Sequence, residues 1–338
     1  LAGVLDWDAL PARERWAGLK MIGALKRARR HARGDWRVRA AASHETVRDW
    51  LIRHGQGPRV RELLWEPLAL SALNQPADRA SATPFARVLA EVCGSRVIDA
   101  AVGIPAKPLD EFFALPARRF IEARGGQVRT KAPAEVVATG RQLLGVETHG
   151  DLLTASAIVS AVPWFAFSRL FPVPPAGLAR VIAAASAMDA SPIATVNLWF
   201  DRPVLDEPFV GLPGRAMHWV FDQRLAVGSA GSHLSMVASG ADDIVRQTND
   251  ALVRLAVTEL RDALPHANEA CLVRSTVIRE HQATFSLAPG QPQRPDTKTA
   301  VSRLFLAGDW IETGLPGTIE SAVASGHRAA AAAFRALS

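Results

Sequence analysis

A short apolar strand, a glycine-containing loop and a long helix follow one another near the carboxyl terminus, and this succession constrains the fold most. Residues 304–307 (Leu-Phe-Leu-Ala) form the predicted strand, which ends at Gly308 and Asp309. A loop over residues 310–317 leads into a helix rich in alanine and glycine, whose small side chains allow close packing on a sheet. Strands that alternate with helices in this way build α/β sheets, so we predict an α/β domain.

Asp309 follows directly after this strand, at the position where open α/β sheets bind their ligands. A carboxylate there can accept a hydrogen bond from a sugar-type hydroxyl group. The amides of Thr318 and Ile319 lie at the positive end of the predicted helix and suit an anionic or electron-rich group. One alternative stays open: the Gly308–Asp309 pair is only a strand-ending turn, and Gly326 in the helix is only a packing glycine.

The first hundred residues have a helical pattern that prolines divide into short segments. One predicted helix carries apolar residues at three-residue steps, namely Trp16, Leu19, Ile22 and Leu25. After the Gly-Gly pair at residues 125–126, Val128 is predicted to open a strand. Three more short strands are predicted over residues 135–138, 143–148 and 152–154, followed by a buried strand over residues 157–162.

The region from Ile193 to Arg279 is mainly extended by its pattern. Alternating apolar side chains, seen at Val196, Leu198 and Phe200, are typical of a strand with one buried face. One amphipathic helix is predicted to interrupt this region over residues 242–264, with Pro265 as its stop.

Composition narrows the function classes. The net charge is +6, but no basic patch is interleaved with stacking aromatics, so we expect no nucleic-acid partner. The chain has two cysteines and scattered histidines without metal-ligand spacing, which favours a reducing cytoplasm and no metal site. The two longest uncharged stretches contain proline or glycines and are too short to span a bilayer.

Several motifs resemble those of a known flavoprotein superfamily. Leu-Ala-Gly-Asp (residues 306–309), followed by residues 314–326, resembles the carboxyl-terminal flavin motif of the amine oxidase and phytoene desaturase superfamily. Residues 115–163 resemble its helix, Gly-Gly, β-meander and strand. Within the superfamily the chain looks most like hydroxysqualene dehydroxylases, through residues 65–74 (Trp-Glu-Pro-Leu-Ala-Leu-Ser-Ala-Leu-Asn) and residues 283–286 (Ala-Thr-Phe-Ser).

The resemblance implies a fold of two interleaved domains. An FAD-binding Rossmann-like domain would take residues 105–165 (helix, β-meander and strand) and residues 298–338 (the closing strand–loop–helix). A mixed α+β substrate domain would take residues 1–104, its helical part, and residues 166–297, an antiparallel sheet with a helix. The residues expected to contact FAD are Gly308, Asp309, Trp310, Pro316, Thr318 and Ile319. The amides near Thr318 would face the N1–C2=O edge of the flavin.

The resemblance also implies an activity, which is the reductive removal of the hydroxyl group of hydroxysqualene to give squalene. An acid would assist the departure of the hydroxyl, and reduced flavin would deliver a hydride to the carbon. The substrate is then a C30 isoprenoid lipid, and the sequence identifies no electron donor. Glu66 and Asn74, in the family-like helical block, are candidates to protonate or orient the hydroxyl, or else to make helix-end hydrogen bonds.

One departure from the family pattern concerns the amino-terminal side. The family opens with a strand and G-x-G-x-x-G, which binds the FAD pyrophosphate, and this sequence has no such motif. The nearest string, Gly-Gln-Gly at residues 55–57, lacks the third glycine and follows a helical pattern. We therefore expect the chain to be a fragment that lacks this part of the family fold.

Other interpretations stay open. The basic segment over residues 20–39, with Trp16 nearby, could lie on anionic lipid at the inner face of the membrane, or be a solvated helix face. Trp199 and Trp219 could line an apolar tunnel or belong to the core. Alternative functions are a carotenoid desaturase, or an inactive fragment that only binds lipid. An amine oxidase is disfavoured because the aromatic cage of such enzymes often includes tyrosine, which this chain lacks.

Overall fold

The structure is a computed structural model, and it describes residues 6–31, 41–42, 44–93, 96–139 and 142–338. Eleven α-helical segments are assigned within these residues: α1 Ala12–His31, α2 Val47–Arg53, α3 Pro58–Val60, α4 Glu66–Leu73, α5 Ala82–Val92, α6 Leu115–Glu122, α7 Trp164–Phe167, α8 Ala179–Ala187, α9 Gln223–Val227, α10 Asn249–Ala263 and α11 Ile319–Leu337. A π-helical turn, Arg61–Trp65, joins α3 to α4, and a second one, Asp110–Ala114, precedes α6. Ten strands are described: β1 Glu135–Thr139, β2 Gln142–Thr148, β3 Asp151–Leu153, β4 Ile158–Ser160, β5 Ala190–Phe200, β6 Phe209–Gly211, β7 Trp219–Asp222, β8 Ser232–Ser239, β9 Leu272–Phe285 and β10 Leu304–Leu306.

The strand–loop–helix at the carboxyl terminus forms as predicted. β10 pairs in parallel with β4, with Leu304 opposite Ile158 and Leu306 opposite Ser160. Helix α11 packs on this pair through small residues, because Ala329 and Ala332 lie against Phe305 and Ala307 of the strand side. The close approach that the alanine-rich sequence predicted is therefore present.

The small residues of the sequence predicted that α11 packs on the sheet through Ala322, Ala329 and Ala330, and the structure confirms this face only in part. The buried residues of the helix are Ser321, Ser325, Ala329 and Ala332, whereas Ala330 is exposed. Spacings of four and three residues place these side chains on one side of a helix. The two serines lie nearest the carboxyl end of β10, where the backbone has polar groups to satisfy, so this end of the interface is hydroxyl-lined.

An antiparallel sheet with strand order β6-β7-β8-β5-β9 forms the second large unit. Val196, Leu198 and Phe200 point to one face, where helix α10 covers them through Leu252, Ala256 and Leu260, as the alternation predicted. The helix begins later than expected. Residues 242–247 form turns, and the hydroxyl of Thr248 caps α10 by accepting from the amide of Ala251.

The first hundred residues form a helical layer with its own apolar core, centred on Trp50, Trp65 and Phe85. In α1 the buried residues include Met21 and Leu25, while Trp16, the first residue of the predicted apolar series, is 63% exposed. Residues 32–40 and the side chains of residues 26–31 lie outside the described part of the chain. The basic segment predicted to contact a membrane falls largely within them and stays a prediction.

The region after α6 corrects one expectation. Val128 does not open a strand, because residues 127–130 have no strand partner and Lys131 adopts a left-handed backbone conformation with φ of 55°. The β-meander begins instead at β1, which pairs antiparallel with β2, and β2 pairs with β3. None of the helices that the structure describes is long and apolar enough to cross a membrane.

Candidate functional site

Asp309 lies where β10 ends, and a single glycine sets its direction. Gly308 has φ of +124°, a backbone conformation that L-residues rarely adopt. A Cβ at this position would stand 3.0 Å from the indole Cδ1 of Trp310. The turn that aims Asp309 away from the strand therefore needs glycine for both its backbone angle and its space.

Two serines of α11 fix this turn. The hydroxyl of Ser325 accepts from the amide of Gly308 at 2.8 Å and donates to the carbonyl of Ala322. The hydroxyl of Ser321 donates to the carbonyl of Asp309 at 3.2 Å and shares a 2.6 Å hydrogen bond with the hydroxyl of Thr313. Both serines are fully buried, so the backbone of the turn is held without help from solvent.

The carboxylate of Asp309 is partly withdrawn from water, and burial raises its pKa above the usual range. The nearby amides of Asp309 and Trp310 and the charge of Arg294 oppose this shift without reversing it. In the described part of the chain no side chain donates a hydrogen bond to this carboxylate. Asp309 is thus a half-buried acceptor that is available to the hydroxyl of a ligand.

An internal ion pair holds the loop that follows. The guanidinium of Arg294 donates to the carbonyl of Leu315 at 2.7 Å and to the Glu312 carboxylate at 3.1 Å. The same carboxylate accepts from the amide of Gly314 at 2.8 Å. Burial lowers the pKa of Arg294, and the paired Glu312 acts against this. This pair connects the proline-containing segment around residue 295 to the loop before α11.

The amino-terminal end of α11 faces the same side as Asp309. Thr318 caps the helix, since its hydroxyl accepts from the amide of Ser321 at 3.2 Å. The first amides of a helix have no carbonyl acceptor within the helix itself. In α11 the amides of Ile319 and Glu320 are of this kind, and they have no protein partner among the described residues. They are donors at the positive end of a 19-residue helix. The Ile319 side chain itself is about half exposed, and Pro316 is buried in the loop.

Gly317, in the loop before α11, lies close to Asp309 and to the end of β9. A Cβ there would stand 3.3 Å from Oδ2 of Asp309, 3.2 Å from the ring of Phe285 and 3.5 Å from Cβ of Thr284. The end of β9 therefore comes within van der Waals range of the Asp309 loop. Glycine at position 317 permits this close packing, because a side chain there would crowd Phe285 and Asp309.

The structure places the indole of Trp310 in the core rather than at this surface. The ring is 1% exposed, packs on Phe167 and donates from Nε1 to the carbonyl of Val162 at 3.0 Å. The expectation that its side chain contacts the cofactor is therefore not supported. Trp310 instead ties the Asp309 loop to the segment that follows β4.

Asn74 is a structural junction and not a free catalytic group. It ends α4 in a left-handed conformation with φ of 50°. Its amide donates to the carbonyl of Ser191 at 2.9 Å and to the hydroxyl of Thr284 at 3.0 Å, while its oxygen accepts from the amide of Gly240 at 2.9 Å. The buried side chain is committed to bonds with distant segments of the chain, which differ from the local helix-end hydrogen bonds that were the expected alternative. Asn74 thereby joins the helical layer to β5, β8 and β9.

Glu66 lies elsewhere, on a cavity between α4 and the sheet. Its carboxylate is 3.4 Å from Nε of Arg48. The residues lining this cavity include Trp219 and Gly240 but none from the Asp309 loop. The carboxylates of Glu66 and Asp309 therefore do not lie in one site. Trp199 is half-buried, stacked on His233 at a centroid distance of 4.2 Å.

These residues fit part of a flavin site. Asp309 offers a half-buried acceptor for a ribityl-type hydroxyl, and the amides of Ile319 and Glu320 offer donors for an electron-rich ring edge. No strand followed by Gly-x-Gly-x-x-Gly and a helix occurs in the described ranges. The donors for the pyrophosphate are thus not supplied by this part of the chain.

Comparison with protein families identifies the class. The model of the family of flavin containing amine oxidoreductases matches residues 3–333, so the chain belongs to this family. Membership confirms the predicted family, fold class and FAD cofactor. It does not by itself specify a substrate.

Curated relatives narrow the comparison. The chain is 29% identical over 277 residues to a hydroxysqualene dehydroxylase of Sinorhizobium fredii, which covers 79% of this chain and 61% of the relative. A probable zeta-carotene desaturase of Synechococcus elongatus is 25% identical over 354 residues, covering 90% of this chain and 69% of the relative. The chain thus spans about three fifths of the length of the hydroxysqualene dehydroxylases that it matches.

Solved structures show the same fold. An oxidoreductase from Methanosarcina mazei superposes with a TM-score of 0.72 at 13% identity, covering 95% of this chain and 73% of the other. Putrescine oxidase bound to putrescine superposes with a TM-score of 0.70 at 17% identity, covering 98% and 77%. At this identity the likeness concerns the fold alone.

Sequence reasoning missed the residues that support the site from a distance. Arg294, Glu312, Ser321 and Ser325 are spread over the last fifty residues, and no local motif joins them. The one available signal was the serine pair at a four-residue spacing, on a helix face that is otherwise made of alanine.

Proposed function

We propose that this chain is part of an FAD-dependent oxidoreductase that removes the hydroxyl group of hydroxysqualene to give squalene. The observation that carries the proposal is the 29% identity to a hydroxysqualene dehydroxylase over 79% of the chain. The Asp309 loop supports it, since it combines a half-buried acceptor with helix-end amides that have no partner among the described residues.

The chemistry sets what the residues must do. Replacing a hydroxyl by hydrogen takes up one proton and one hydride and releases water. FAD supplies the hydride when it is bound in its reduced form. Asp309 would hold and orient the cofactor through a hydroxyl group, while the amides of Ile319 and Glu320 would stabilise negative charge at its edge. The buried hydroxyls of Ser321 and Ser325 keep these groups in place.

The substrate in this proposal is a C30 isoprenoid lipid, because several of the matched relatives are named for isoprenoid reactions. The test is a reaction of the purified protein with FAD, dithionite and hydroxysqualene, with extraction and mass spectrometry of squalene. Squalene that forms with the wild type and falls with Asp309→Ala is the expected result. No squalene, with flavin absorbance showing that FAD is bound, would overturn the proposal.

A carotenoid desaturase is the second candidate, favoured by the 25% identity to a probable zeta-carotene desaturase over 90% of the chain. That reaction runs in the opposite sense, since hydride leaves the polyene for oxidised flavin. Parallel incubations with phytoene or zeta-carotene and oxidised FAD separate the two. If no flavin absorbance follows reconstitution with FAD, both activities are ruled out for this chain, which leaves lipid binding alone.

A further inference from the structure

A cavity of about 330 Å³ lies away from the Asp309 loop, between α4 and the edge of the large sheet. Its walls are mainly apolar and include Leu63, Leu70, Leu212 and Trp219. This volume is at the small end of the usual range for ligand pockets. Apolar walls of this extent favour a ligand with a hydrocarbon body.

Except for Asp243, an exposed carboxylate, the charged side chains that line this cavity are paired. Glu66 contacts Arg48 at 3.4 Å, Glu62 contacts Arg59 at 3.1 Å, and Arg215 is 3.6 Å from Asp262. An ionic ligand would have to compete with these pairs and leave its own charge weakly compensated. The wall therefore favours an uncharged molecule.

A neutral hydrogen-bond donor is available to such a molecule at His218. His218 lines the cavity, and its Nδ1 accepts from the amide of Ser239 at 3.1 Å. An amide can donate only to an unprotonated nitrogen, so the ring proton is on Nε2. Burial lowers the pKa of His218 to about 4, so the ring is neutral at physiological pH. Nε2 has no acceptor among the described residues.

A chain of hydrogen bonds runs from the wall of this cavity to the neighbourhood of the Asp309 loop. Gly240 lines the cavity, and its amide donates to Asn74 Oδ1 at 2.9 Å. The amide group of Asn74 in turn donates to the hydroxyl of Thr284, which lies beside Gly317. Asn74 thus links the cavity wall at Gly240 to Thr284, next to the loop that carries Asp309.

We propose that this cavity binds an uncharged isoprenoid segment that carries a hydrogen-bond acceptor, with Nε2 of His218 donating to that acceptor. The isoprenoid identity of the ligand rests on the proposed function. Binding itself requires neither flavin nor turnover, so it is measured separately from the reaction.

The experiment measures equilibrium binding of two probes to the flavin-free protein: farnesol, a C15 isoprenoid alcohol, and farnesane, its saturated hydrocarbon counterpart. His218→Asn keeps an oxygen that can accept from Ser239 but removes the Nε2 donor. We expect farnesol to bind this variant about three- to tenfold more weakly, and farnesane to bind as to the wild type. The ratio of the two affinities within one preparation does not depend on the folded fraction.

Filling the cavity provides the second arm. Ala216→Phe places a ring among the lining residues and should abolish binding of both probes. Ala263→Phe is the matched control, since both alanines are partly buried against the same core and only Ala216 lines the cavity. Unchanged binding to Ala216→Phe, or an unchanged farnesol-to-farnesane ratio in His218→Asn, would overturn the proposal. Probe binding without squalene formation would support the cavity and count against the proposed reaction.

Discussion

The hydroxyl of Ser325, buried in α11, accepts a 2.8 Å hydrogen bond from the amide of Gly308 at the end of β10. The bond crosses from helix to strand at the point where the chain turns toward Asp309. Because Gly308 is the residue with a positive φ in this turn, the serine stabilises the conformation that presents the carboxylate.

Ser325→Ala should lower the free energy of unfolding by about 1–3 kcal/mol, because the amide of Gly308 would be left unsatisfied in a buried position. Denaturant unfolding measures the difference. Ser302→Ala, at an exposed position just before β10, should change stability by less than about 0.5 kcal/mol. Equal effects of the two substitutions would contradict a specific role for Ser325.

Gly308→Ala should destabilise the protein more than Gly150→Ala. Both glycines have positive φ, but nothing lies within 4 Å of a Cβ at Gly150, whereas at Gly308 it would meet Trp310 at 3.0 Å. Backbone strain alone costs about 1–3 kcal/mol, and the contact adds to it at Gly308. Thermal unfolding of the two variants side by side checks this, and a smaller effect at Gly308 would argue against the tight turn.

Asp309→Asn should weaken FAD binding by roughly tenfold, because a charged acceptor becomes a neutral one. In the absence of FAD the same change should keep or raise stability. Burial raises the pKa of Asp309, so the folded protein loses stability as the pH rises through that pKa and the carboxyl becomes charged. Asparagine carries no charge, so the variant does not lose this stability. Flavin titration and melting curves with and without FAD separate the two effects. Lower flavin-free stability at neutral pH would be the contrary result.

Asn74→Ala should lower the free energy of unfolding by about 3 kcal/mol or more. It leaves the carbonyl of Ser191 and the amide of Gly240 without a hydrogen-bond partner, and it places alanine at a positive φ. Asn74→Gly removes the same hydrogen bonds but tolerates the backbone angle. The glycine variant should therefore be the more stable of the two by about 1 kcal/mol. If both variants keep wild-type stability but lose activity, Asn74 is a catalytic group after all.

His218 gives a pH-dependent prediction. Its folded pKa of about 4 lies below the ordinary value of 6.5. Between these values the unfolded chain binds a proton that the folded ring does not, so stability falls as the pH drops from 6.5 to 4. The loss from this group amounts to at most roughly 3 kcal/mol. Stability is measured as a function of pH for the wild type and for His218→Asn. The variant should lose less stability than the wild type between pH 6.5 and 4. Parallel curves for the two proteins would show that the folded protein does not keep the ring neutral.

Much of the fold follows from local patterns in the sequence. The apolar run at residues 304–307, the alternation in β5 and the amphipathic pattern of α10 each fix an element, since period and side-chain size act over a few residues. Two element boundaries differ from their predicted positions, at the left-handed turn of Lys131 and at the helix cap of Thr248. Single backbone angles and hydroxyl groups decide such boundaries, and the periodicity of a sequence does not show them. The division into two interleaved domains stays a prediction.

The sequence by itself determined the strand end, the acid that follows it and the helix whose amides face it, because these groups are neighbours in the chain. Only the tertiary structure decided that Trp310 is a core residue, that Asn74 is saturated, and that Ser325 and Arg294 hold the loop. Those roles depend on hydrogen bonds between segments up to 210 residues apart, as between Asn74 and Thr284, and no local periodicity encodes them.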